Sequence, residues 1–120
     1  MIVKDVIERV SELRPGSVFS IEEYLNHLNA IEEQIYNNII MLSDTSSEYT
    51  PLTTREDSLA VPDMYGSIYI HYITAQIDIA NGDITRYSNN MILYNSILSA
   101  YSDWYIRTHM PEQRGKLRWC

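Results

Sequence analysis

Between residues 84 and 105 an apolar side chain returns every three or four positions: Ile84, Tyr87, Met91, Tyr94, Leu98, Tyr101 and Tyr105. That alternation keeps one face of a helix apolar over several turns. Tyr87, Tyr94 and Tyr101 recur at every seventh residue, so a ladder of phenols runs along one edge. Asn81-Gly82-Asp83 stands just before it, where one helix would stop on glycine and the next be capped by aspartate. Pro111 closes it, because proline cannot continue a helix. The helix expected over about 84–109 would be roughly 39 Å long at 1.5 Å per residue. That is longer than a 120-residue globule needs for its own core. Either it projects, or other chains pack along it.

Upstream the pattern is also helical. Val3, Val6, Ile7, Val10 and Leu13 mark a short amphipathic helix over 2–14, ended by Pro15-Gly16. Ser20-Ile21-Glu22-Glu23 is a capping box, with Phe19 and Tyr24 placed for a hydrophobic staple. A helix over 21–42 follows, with Asn26, His27, Glu32, Glu33 and Asn37 expected mainly outside. Residues 43–60 are rich in Ser, Thr and Asp, too polar for core and long for a connector. Tyr49, Leu52 and Leu59 could pin parts of this loop. Val61-Pro62-Asp63 restarts helix, carried on by Tyr65, Ile68, Tyr69, Tyr72 and Ile73 to about 80. The whole reads as an all-α protein, a small bundle of about four helices. A helical domain over 1–110 is followed by a basic tail over 111–120.

Charge narrows the function. The net charge is −7, which argues against non-specific binding to DNA or to an anionic membrane. No apolar run approaches the roughly 20 residues that span a bilayer, and the start lacks the apolar core of a signal peptide. The single cysteine, Cys120, gives no intrachain disulfide and no thiolate zinc site. No phosphate loop, zinc-protease motif or nucleophile elbow is present. His27, His71 and His109 are scattered, and His71 reads as a structural histidine. Neither enzyme chemistry nor a cofactor is expected.

Tyrosine outnumbers phenylalanine ten to one, which suits faces that must be apolar yet tolerate water before assembly. Tyr, Trp and Arg also dominate interface energetics. Candidate interface residues are therefore Tyr87, Tyr94, Tyr101, Trp104, Tyr105, Arg107 and His109. Arg114, Lys116, Arg118 and Trp119 of the tail join them.

Several segments carry a resemblance: Leu13-Arg14-Pro15, Leu28 to Tyr36, and above all Val61 to Pro111. In the last, Val61-Pro62, Tyr65 and Tyr69 lead into Ala75-Gln76-Ile77-Asp78 and Asn81-Gly82-Asp83. Arg86-Tyr87, Asn89, Met91, Tyr94-Asn95 and Trp104-Tyr105 to Pro111 complete it. Here the chain resembles head–tail connector, or head-completion adaptor, proteins of tailed phages and prophages of Gram-positive bacteria. The resemblance implies a virion protein, made in the host cytoplasm, that forms a homo-oligomeric ring under the portal protein. The ring would continue the DNA channel, without sequence-specific binding, and receive further connector or tail-completion proteins. The competing reading is a small acidic phage regulatory or anti-host module that binds a host protein.

Overall fold

The computed structural model describes residues 1–16, 19–40 and 51–109, without the side chain of His109. The first part of the polar loop, 43–50, the expected helix end at 41–42 and the tail at 111–120 lie outside the described residues. Among the described residues the protein is a bundle of four α-helices. They are α1 (Val3–Leu13), α2 (Ile21–Asn38), α3 (Ser67–Ala80) and α4 (Ile84–His109). A 3-10 turn, Asp63–Tyr65, leads into α3.

The helix boundaries follow from the local signals. Ser20 Oγ accepts from the Glu23 amide at 3.2 Å while Glu23 Oε1 accepts from the Ser20 amide at 3.3 Å. The Phe19 and Tyr24 rings meet edge to face 5.9 Å apart, which completes the staple. Gly82 takes φ +80°, the left-handed value that ends α3. Asp83 Oδ1 then accepts from the Arg86 amide at 3.0 Å and caps α4. Pro62 did not enter an α-helix as its position suggested. It precedes the 3-10 turn instead, and regular helix waits until Ser67.

The hub is α3. It has no continuous polar face: Ile68, Tyr69, Ile70, Ile73, Ala75 and Ile77 are all buried. A helix apolar on all sides must be surrounded. α4 packs along its length, and α1 and α2 pack on it and on each other. Val3, Val6 and Val10 of α1 and Leu28, Ile31 and Ile35 of α2 supply the facing layers.

Residues 51–61 form a strap across α2. Asn29 grips its backbone twice, donating to Leu52 O at 3.1 Å and accepting from Leu52 N at 2.7 Å. Farther along, Ser58 bridges antiparallel to Ile2. Leu52 and Leu59 are buried, as their place in the polar loop suggested.

One expectation is corrected here. Glu32 was placed on the solvated side of α2, yet it is 2% exposed. The strap covers a flank of α2 that the hydrophobic arc alone leaves open. Glu32 accepts from the Tyr69 hydroxyl and, at 2.9 Å, from the Ala60 amide. Tyr69 oxygen in turn accepts from Val61 N at 3.1 Å. Burial pushes the Glu32 carboxyl above its ordinary range, opposed by the two hydrogen bonds it accepts. A raised folded value means that Glu32 favours the fold at low pH. That contribution is lost as pH rises from the ordinary carboxylate range through the folded value. Urea unfolding at several pH values should therefore show wild type losing stability, relative to Glu32→Gln, over that interval.

Candidate interaction surface

α4 presents two faces of opposite character. The inner face carries the phenol ladder, and the chain itself covers most of it. Tyr94, Tyr101 and Tyr105 are buried, while Tyr87, Met91, Leu98 and Trp104 are half-buried. Tyr94 packs on Tyr72 with the rings tilted and their centroids 5.2 Å apart, and its hydroxyl reaches Gln34 Oε1 of α2 at 3.4 Å. Tyr101 meets Tyr65 at 5.7 Å, and Trp104 meets the same ring at 5.7 Å. The 3-10 turn thus extends α3 as a platform that follows α4 to its last turns. Burial pushes the Tyr101 phenol up to about 12, helped by the nearby Tyr105 and Glu32.

The placement revises the interface reading. Tyr94, Tyr101 and Tyr105 are core of one chain, so they are not a face left for neighbours to finish. The long helix has a long partner in its own chain, α3 plus the turn before it. Only its first residue on the ladder, Ile84, stays open, at 66% exposure, beside the α3–α4 turn. Arg107 is exposed at the far end, with Nε donating to Asp103 O at 3.3 Å. The side chain of His109 and residues Arg114, Lys116, Arg118 and Trp119 lie outside the described residues.

The outer face was missed, although the sequence holds its signal. From Tyr87 to Ser102 there is no charged residue. Over these turns Ser88, Asn89, Asn95, Ser96, Ser99 and Ala100 are exposed. Ile92 and Leu93 stand out among them at 65% and 47% exposure. A solvent-facing helix without charge for over four turns is unusual in a chain that is 21% charged. Depletion of charge is the compositional mark of an interface core, more so than apolarity.

The ionisable groups in the interior hold the helices together. Arg14, just past α1, forms a bidentate pair with Asp78 of α3: Nε to Oδ1 at 2.7 Å and Nη2 to Oδ2 at 2.9 Å. Asn90 of α4 donates to Asp78 Oδ2 at 3.0 Å, and its own oxygen lies 3.1 Å from His71 Nδ1. The Arg14 guanidinium holds the Asp78 carboxyl below its ordinary range. Three helices are thereby tied at one point. His71 is a structural histidine in this sense. His27 stacks on Phe19 at 5.5 Å, and burial lowers its pKa.

Among the described residues no group of three or more His, Cys, Asp or Glu could hold a metal ion. No described helix is long and apolar enough to cross a membrane. The chain matches no family model, no curated protein and no solved structure.

Proposed function

We propose that this protein is a structural joining subunit, a phage head–tail connector that docks under a portal protein and assembles there as a ring. The observation that carries the reading is the uncharged, exposed face of α4, set on a rigid helix whose other side is anchored in the core. Such a face is built to be covered by protein. The resemblance supplies the kind of partner. Its residues also do identifiable work here: Arg14 and Asp78 join α1 to α3, and Gly82 and Asp83 shape the α3–α4 turn. They build the scaffold that presents α4.

The acidic surface suits a wall along which DNA passes without sticking, since like charges repel. The interior ionisable groups serve as ties between helices, in keeping with joining in place of substrate turnover. On this reading the protein works in the virion at the head–tail interface.

Mass-resolved binding to a purified portal of the same phage tests the proposal. A closed, high-order species of this chain on the portal is expected. A persistent small species with no affinity for the portal would refute it and favour the acidic regulator.

A further inference from the structure

Arg86, Asn89, Leu93, Ser96, Ala100 and Asp103 recur along α4 at alternating intervals of three and four, and all six are exposed. They lie two positions on from the phenol ladder, hence about 200° around the helix from it. α4 therefore carries two seams of the same period on opposite faces. Its own chain fills the inner one. The outer seam begins with a cation, ends with an anion and has four uncharged residues between.

That order of charges selects the partner. A parallel copy of α4 would set Arg86 against Arg86 and Asp103 against Asp103. An antiparallel copy, centred between Tyr94 and Asn95, sets Arg86 against the second copy's Asp103 at both ends. In the same register Asn89 opposes the second copy's Ala100, and Leu93 opposes the second copy's Ser96. Each pairing occurs twice, cation on anion and large side chain on small, as an isologous two-fold contact requires. Ser96 and Ala100 are short enough for helix axes to approach within about 8–10 Å. Arg86 already reaches Asp83 of its own chain, Nε to Oδ2 at 3.4 Å, but that pair is exposed and holds it weakly.

We propose that α4 pairs antiparallel with the α4 of a second copy of this chain, in this register. The contact occupies the same face of α4 that the connector reading gives to its neighbours, so on that reading the pair opens when the ring forms. A two-fold interface closes with two copies and cannot by itself propagate a ring, so it belongs to the free subunit before assembly. From Arg86 to Asp103 the seam runs about 26 Å, which places it among small interfaces.

Sedimentation equilibrium of the full chain between about 1 and about 300 μM tests this, because the range spans the affinities of weak, small interfaces. A reversible monomer–dimer equilibrium is expected. Arg86→Asp alone and Asp103→Arg alone should each weaken the dimer about tenfold, since each makes two like-charge contacts. An equimolar mixture of the two variants restores both pairs in a heterodimer and should return affinity to within about threefold of wild type. Circular dichroism checks that each variant keeps its helices. A wild type that stays monomeric throughout, single reversals without effect, or a mixture no tighter than its components would each overturn the proposal.

Discussion

Tyr101→Ala is expected to lower the free energy of unfolding by about 4 kcal/mol, the scale on which removing a buried aromatic destabilises a core. Tyr101 is 1% exposed and touches Tyr65, Trp104 and Tyr105, so its loss leaves a cavity at the meeting of α4 with the 3-10 turn. Tyr101→Phe keeps the ring and should cost far less. Denaturant unfolding of the two variants separates the ring from its hydroxyl. The comparison also decides between two views of the ladder. If these rings served only a neighbouring subunit, alanine at 101 would weaken assembly and leave the monomer's stability nearly intact.

The second large effect is expected at Asp78. Asp78→Ala strands the Arg14 guanidinium and the Asn90 amide, and should cost about 3 kcal/mol, as breaking a buried ion pair does. Arg14→Ala leaves the carboxylate buried beside Asn90 and should cost a similar or slightly smaller amount, because Arg14 itself is partly open to water. A double-mutant cycle should return a coupling energy of at least about 1 kcal/mol, since the two side chains share two hydrogen bonds. The pH dependence runs opposite to that of Glu32. A lowered folded value means that Asp78 contributes fully above the ordinary carboxylate range and loses its contribution as pH falls through the folded value. Acid unfolding of the Asp78→Ala variant should therefore lack part of the wild-type slope at low pH.

These sites show what the residues disclose on their own. Periodicity placed α4 at its observed ends, and the capping box placed the start of α2, because both are local signals read within a few residues. The central role of α3 was harder to read. Its stripe looked like one apolar face, whereas Ile70, Thr74 and Ala75 on the other sides are buried too. Glu32 failed for a related reason: what covers it is the strap, whose position depends on Asn29 and on pairing with the N-terminal residues. Such contacts join positions far apart in the chain, and no local pattern announces them. The pairing of Arg14 with Asp78 is of the same kind, with 64 residues between the partners.

The ladder of α4 was legible as a face but not as to who covers it. An apolar stripe of period three and four reads the same whether its partner is α3 or another subunit. Burial within the one chain breaks that ambiguity for Tyr94, Tyr101 and Tyr105, and the charge-free run over 87–102 raises a second question. Core already explains the tyrosines, so the absence of charge on the opposite side needs a separate cause, and contact with protein supplies one.

One chain closes its own aromatic core, and on the proposed reading the other side of α4 is left for joining. Far-UV circular dichroism of the full chain on dilution from about 100 μM to about 0.1 μM tests this closure, since a subunit-dependent fold would come apart over that range. The helical signal per residue is expected to hold constant to the lowest concentration, even as any dimer dissociates. A helical signal that collapses on dilution would contradict it, since the ladder would then depend on a neighbour for its cover.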